Sequence, residues 1–321
     1  MCRIAHGNAR PPQIITTVGS SFQKPTGATM YTTHPHQVIS DAQFAQLIEQ
    51  GFLILPRYIR GEELSELQAA QRRVLRTWEQ AQQDPKLVEA RCELTPYPWS
   101  DARMSRLYLH PELVKLGQRF LKTEDVVARV GYMLARYPGF TSGDTGHIDN
   151  GNNSLLPRTT SAREYGQIGF WIHLDEVQPG QAPLLLVRTK DGQDLSKAVP
   201  FVCPEGSIAI FSNYTFHASS PFTAADGQRF AWGFGLGRAD HHFEGLLSFT
   251  SHGQHPVIKQ VVSAMTARER TMMHFPPPNH PYYTRQTLVA LEEQYPGWNA
   301  RGEYPAMDES FEPAKSGTAQ G

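Results

Sequence analysis

Gly146-His147-Ile148-Asp149-Asn150-Gly151 places a His-x-Asp triplet between glycines, in a stretch with the composition of a loop. Downstream, Asn213-Tyr214-Thr215-Phe216-His217 closes an apolar run with a second histidine, and Arg229 follows twelve residues later. Two imidazoles and one carboxylate on neighbouring strand ends can bind one face of an Fe(II) ion and leave the other face open. A guanidinium in the same neighbourhood can clamp a dicarboxylate through two parallel hydrogen bonds, which a lysine does less well. In an antiparallel pair, a residue a dozen positions on can return to the vicinity of its starting point, which suits Arg229.

Thirteen histidines make chance His-x-Asp pairs inevitable, and the chain holds a second, His173-x-Asp175. That rival sits where Phe170-Trp171-Ile172-His173 alternates as an ordinary strand. His147 and Asp149 instead lie just past a strand–turn segment, where the backbone can open around a metal. Other candidates carry less. Gly233-x-Gly235-x-Gly237 lacks the G-x-G-x-x-G spacing and follows a β region, so these are strand glycines. His241, His242, His252 and His255 read as surface residues, and Cys203 as a small core residue. Arg103, Arg106, Arg158 and Arg163 flank the expected mouth of the site; a solvated surface explains them, and a grip on an anionic substrate is the sharper alternative.

Elements that could position these residues follow from the pattern. Ser40 and Gln43 have capping-box spacing, and Phe44, Leu47 and Ile48 then recur at helical period up to Gly51. Phe52–Leu55 suits a short buried strand stopped by Pro56. A long helix is expected over about 62–82, with Leu64, Leu67, Val74, Leu75 and Trp78 on one stripe. Residues 83–110 are less regular, and Pro111 starts a helix carrying Leu113, Leu116, Phe120 and Leu121. From residue 126 strands take over: 126–137, then 168–174, 184–187, 199–202, 207–212 and 230–236, split by Pro-Gly, Asp-Gly and Glu-Gly turns. Residues 140–164 form a long Gly-, Asn-, Ser- and Thr-rich loop, a length that usually signals function. Helices return at 257–270 and 285–294. The expected fold is α+β with a mainly β core, a sandwich, jelly roll or barrel braced by N- and C-terminal helices. Residues 1–35 read as a flexible arm and 36–307 as a single domain, with the β core at about 126–240 and a helical region at 241–307. Residues 308–321 read as a disordered tail.

Composition excludes several classes. Of 321 residues, 40% are hydrophobic, enough for a sizeable core. A net charge of −1 and the lack of a dense basic stretch point away from nucleic acid. The three cysteines, Cys2, Cys92 and Cys203, have no CxxC spacing, which argues against a disulfide framework and a thiolate zinc site. No apolar run approaches the roughly 20 residues that span a bilayer, and no secretory signal is apparent. The expectation is a cytoplasmic protein.

"FAQLIEQGFLILPRYIRGEELSEL", "GHIDNG", "IGFWIHLDEVQPGQAPLLLV" and "PEGSIAIFSNYTFHASS…QR" together give the chain a specific likeness. Over roughly residues 40–240 it resembles the phytanoyl-CoA dioxygenase family of Fe(II)/2-oxoglutarate oxygenases. The resemblance implies a double-stranded β-helix, a jelly roll closing over the metal. It implies Fe(II) held by His147, Asp149 and His217, with O₂ and 2-oxoglutarate as co-substrates. It further implies that Arg229, helped by Ser219, binds the distal carboxylate of 2-oxoglutarate, with Trp171 the aromatic beside it. The expected partner is a small-molecule or natural-product substrate, hydroxylated or otherwise oxidised with release of succinate and CO₂. Where the family has "PGSH" this chain has Val187-Arg188-Thr189-Lys190, so no substrate contact carries over there. The readings from other classes are a non-catalytic jelly-roll ligand-binding protein and a cupin-like metalloenzyme, which formation of succinate from 2-oxoglutarate would separate from an oxygenase.

Overall fold

The computed structural model describes residues 33–96, 104, 107–142, 145–149, 166–239, 254, 256–272 and 275–308. The arm up to residue 32, most of the 140–164 loop and the tail from 309 lie outside the described residues. So do Arg103, Arg106, Arg158, Arg163, His241, His242, His252 and His255.

Helix α1 (Asp41–Gln50) starts where the capping spacing puts it: the Ser40 hydroxyl accepts from the Gln43 amide at 3.3 Å, and the Gln43 side chain accepts from the Ser40 amide at 2.9 Å. Gly51, at φ +82°, closes it in the left-handed conformation. Strand β1 (Phe52–Leu55) follows. The single long helix expected over 62–82 is two helices, α2 (Gly61–Val74) and α3 (Trp78–Ala81). Leu75 is extended, and Thr77 forms a second capping box with Gln80 that restarts the helix. The apolar stripe runs through the break because Leu75 and Trp78 are both buried in the same core. After α4 (Pro85–Ala90) comes a strand that proline-rich composition concealed, β2 (Cys92–Pro96). Cys92 is disulfide-bonded, a pairing of which the wide cysteine spacing gives no sign, while Cys203 is free and buried.

Helix α5 (Pro111–Leu121) then leads into β3 (Val126–Arg136), β4 (Gln167–His173), β5 (Leu185–Leu186), β6 (Val199–Pro200), β7 (Ser207–Ser212), β8 (His217–Ala218) and β9 (Arg229–Arg238). Two antiparallel sheets result, with orders β1-β7-β4-β9-β3-β2 and β6-β5-β8. Strands β5 and β6 are shorter than the runs 184–187 and 199–202 suggested. The expected 257–270 helix is also divided, into α6 (Pro256–Ala264) and α7 (Ala267–Met272), because Thr266 and Glu269 cap a new start. Helices α8 (Arg285–Gln294) and α9 (Ala300–Glu303) are the last elements among the described residues.

The large sheet has two faces of different character, as period-2 alternation requires. On one, Ile208, Ile210, Phe170, Ile172, Phe230, Trp232, Phe234 and Leu236 pack with the side chains of α1, α2 and α5 in the main core. On the other, Phe211, Ala209 and Trp171 pack with Leu184, Leu186 and Phe201 between the sheets. The α6–α9 region has its own cluster around Phe275, Tyr283, Tyr295 and Trp298. Among the described residues no helix is long and apolar enough to cross a membrane.

Candidate metal centre

His217 stands on β8, and the 145–149 segment adds itself to that edge. His147 and His217 form an antiparallel bridge, each amide donating to the other's carbonyl at 2.9 Å. Directly opposed residues share a face, so the two rings meet, with centroids 4.4 Å apart. Gly146 makes this approach possible. Its φ is +91°, and a Cβ there would lie 2.3 Å from Cζ of Phe216. Asp149, two residues past His147, returns to the same face. One of its oxygens lies 3.9 Å from Nε2 of His147 and 3.8 Å from Nε2 of His217.

Potential ligand atoms of His147, Asp149 and His217 all lie within 4.8 Å of one another, the one such group among the described residues. The His217 ring is set by its other nitrogen, Nδ1, which lies 2.9 Å from the Thr215 carbonyl. A ring nitrogen donating to a carbonyl carries the proton, so Nε2 presents its lone pair. Thr215 is fixed in turn by its hydroxyl, which donates to the Gly51 carbonyl at 2.5 Å. Phe211 packs against the His217 ring at 5.1 Å. Two neutral imidazoles and a carboxylate, with no thiolate, are a donor set that fits Fe(II).

The two members of the rival pair are held by different surroundings. His173 is fully buried, its Nδ1 lies 2.7 Å from the Phe230 carbonyl, and burial pushes its pKa down to about 3. Asp175 is turned away onto α2, paired with Arg72 at 2.9 Å and accepting from Gln71 at 3.0 Å.

Arg229 opens β9 and is 3% exposed, but it does not return by pairing with β8 as the spacing argument supposed. Strands β8 and β9 belong to different sheets, and the chain between them crosses the sandwich. Its Nε and Nη1 are buried without a hydrogen-bond partner among the described residues. Trp171, on β4, shares that sheet face: it pairs with Gly233, its ring fills the space a Cβ there would need, and its Nε1 is also buried without a partner. Ser219 follows β8 directly, with its hydroxyl buried.

Sequence reasoning missed two residues here. Tyr132 meets Trp171 edge-on at 5.8 Å, and burial, then the Asp149 carboxylate, push its pKa up to about 12. Arg136 pairs in register with Arg229. Counting back by twos from Arg136 along β3 gives Leu134 and Tyr132 on one face, a signal available in the sequence.

A jelly roll that converges two imidazoles and a carboxylate has the architecture of a non-haem iron enzyme. The phytanoyl-CoA dioxygenase family profile matches residues 47–231, more than half of the chain, and the chain belongs to that family. It is an Fe(II)/2-oxoglutarate-dependent oxygenase. None of the curated proteins compared with it matches. Among solved structures, it is similar to HygX from Streptomyces hygroscopicus with nickel and 2-oxoglutarate bound, at 15% identity and TM-score 0.48, over 63% of this chain and 88% of that one. It is similar to EvdO2 from Micromonospora carbonacea var. aurantiaca at 17% identity and TM-score 0.47, over 62% and 92% of the two chains. A third is SnoK, a non-haem alpha-ketoglutarate dependent carbocyclase from nogalamycin biosynthesis, at 18% identity and TM-score 0.45, over 64% and 86%.

Proposed function

We propose that His147, Asp149 and His217 hold the Fe(II), that Arg229 with Ser219 and Trp171 receives 2-oxoglutarate, and that the enzyme oxidises a small molecule, with hydroxylation as the outcome. The observation that carries this reading is the convergence of three ligand atoms within 4.8 Å. When bound, iron and 2-oxoglutarate supply O₂ activation, the co-substrate leaving as succinate and CO₂ while the substrate gains one oxygen atom.

The chain's own residues do the rest. Asp149 contributes the negative charge that offsets the metal's. Thr215 holds the His217 tautomer, so its lone pair faces the ion without rotation. Phe211 and Trp171 line the space between the sheets with apolar surface and exclude water. Arg229 is buried, and its Nε and Nη1, without a partner among the described residues, offer two N–H groups to a carboxylate that enters. The same reading takes residues 36–307 as one domain.

Anaerobic titration of the metal-free protein with Fe(II) and 2-oxoglutarate tests it, following the weak visible charge-transfer band of the chelate. Wild type, His173→Ala and Asp175→Ala should show the band, and His147→Ala and Asp149→Ala should not. A band that survives in His147→Ala but vanishes in His173→Ala would reverse the ligand assignment.

A further inference from the structure

The register of β3 on β9 sets Arg136 directly opposite Arg229. Opposed residues of an antiparallel pair share a face, so both side chains belong to the layer that holds Tyr132 and Trp171. Arg229 is buried and Arg136 half-buried, and both have buried N–H groups without an acceptor among the described residues: Nε and Nη1 of Arg229, Nε of Arg136. Neither forms an ion pair among the described residues. The Phe140 ring centroid lies 3.9 Å from the Arg136 guanidinium carbon, so the ring covers one face of the cation and does not occupy its in-plane donors.

Among the described residues no carboxylate acts on either guanidinium. His173, in the next row on β4, is neutral, its Nε2 has no partner, and Arg229 is the second cause of its lowered pKa. Burial, and after it Arg136, push the Arg229 pKa down to about 9, and burial pushes that of Arg136 down to about 10; the one other group acting on Arg136 is the Tyr132 phenol. An arginine keeps its proton in a protein, so these downward pressures measure a cost: two like charges side by side with no counter-ion among the described residues. Tertiary structure retains such a pair against its own stability where an anion completes it.

We propose that Arg136 is a second carboxylate-binding residue that closes with Arg229 on the distal carboxylate of 2-oxoglutarate, an inference that rests on the co-substrate pocket proposed above. The competing account makes Arg136 a brace stacked on Phe140 with no ligand role. The two accounts predict opposite signs. If Arg136 waits for an anion, deleting its charge relieves repulsion in the empty protein and weakens binding. If it is a brace, deleting it destabilises the empty protein and leaves binding alone.

Thermal unfolding and calorimetric titration under anaerobic conditions, with and without Fe(II), separate them, using 2-oxoglutarate and succinate as probes. Arg136→Met should melt higher than wild type without anion and bind 2-oxoglutarate about 10- to 100-fold more weakly, the loss typical of a hydrogen-bonded charge. Arg136→Lys should fall between, since it keeps the charge and loses the planar fork. Arg136→Met with wild-type affinity, at whatever melting temperature, overturns the proposal. If Arg229→Met loses binding in that same experiment, the co-substrate pocket stands without Arg136. A Fe(II)-loaded wild type that binds neither dicarboxylate overturns the pocket and this inference together.

Discussion

Replacing Gly146 with alanine tests how the metal centre is held rather than what it is made of. Gly146 is not a ligand, so any effect must act through geometry. Two costs can be worked from the structure. The backbone sits at φ +91°, where an L-residue is strained by about 1–2 kcal/mol. The new methyl would lie 2.3, 2.7 and 3.1 Å from Cζ, Cε1 and Cε2 of Phe216, all well inside contact distance. That ring is buried in a cluster with Ile148 and Val187 and cannot swing clear freely, so overpacking adds about 1–3 kcal/mol. The sum, about 2–5 kcal/mol, falls on the bridge between His147 and His217, since Phe216 is the residue before one ligand and Gly146 the residue before the other. At about 1.4 kcal/mol per factor of ten, Fe(II) affinity should fall by about 30-fold to a few thousand-fold, less whatever the segment recovers by relaxing. Competition against a chelator under anaerobic conditions measures this directly. Adding Phe216→Leu removes the ring atoms in conflict and should restore roughly half of the loss, leaving the φ component. Wild-type iron affinity in Gly146→Ala, or a double variant no better than the single, would refute the account of how the loop is positioned.

Two further outcomes follow. Burial depresses the pKa of His173 to about 3 and of His110 to about 4, so between those values and about 6.5 the unfolded chain binds protons that the folded one does not. Stability of the metal-free protein should therefore fall as pH drops below about 6.5, by up to about 1.4 kcal/mol per pH unit for each histidine. His173→Phe should flatten that slope in urea titrations at pH 7, 6 and 5, and an unchanged slope would mean that His173 is protonated when folded. Trp171→Phe removes an Nε1 that has no partner in the bare protein. It should cost little stability beyond the packing of the lost ring, yet raise the 2-oxoglutarate concentration needed for half-maximal turnover; an unchanged requirement removes Trp171 from the pocket.

The elements that positioned the site were readable where one residue decided the local structure. Ser40, Gly51 and Pro111 each marked a boundary that holds, because caps and ring constraints act within a few residues. The breaks at Thr77 and Thr266 were hidden although both carry capping spacing, Thr77-x-x-Gln80 and Thr266-x-x-Glu269. Apolar periodicity ran on through them, and only the third dimension shows that a stripe can serve one core from two helices. His147 and His173 were equal as triplets. What separates them is the pair of α2 side chains, Gln71 and Arg72, that take Asp175, contacts more than 100 residues distant in sequence. Arg229 was found for a reason that does not hold, since its strand lies in the other sheet from His217. Arg136 lay inside an unbroken β run, where alternation assigns a face but not what stands opposite.

Strand β9 ties the two faces of the molecule together. Its sequence, Arg229-Phe230-Ala231-Trp232-Gly233-Phe234-Gly235-Leu236-Gly237, alternates large and small from Phe230 onward. Phe230, Trp232, Phe234 and Leu236 fill the core beneath the helices. Ala231, Gly233, Gly235 and Gly237 take the other face, beyond Arg229. Those glycines bind no phosphate. They leave a floor without side chains, on which residues of the neighbouring strands lie: Trp171 and Tyr132 over Gly233, Arg129 over Gly235 and Gly237. A Cβ at Gly233 would stand 3.0 Å from the Trp171 ring and 3.4 Å from that of Tyr132, so the small residue decides where both aromatics rest. The strand that contributes most to the core therefore contributes space to the site, and the arginine at its head is the one long side chain it turns toward the interior of the sandwich. That asymmetry follows from a two-residue period, and it explains why a site with buried cations can be built on a sheet whose opposite face packs a hydrophobic core.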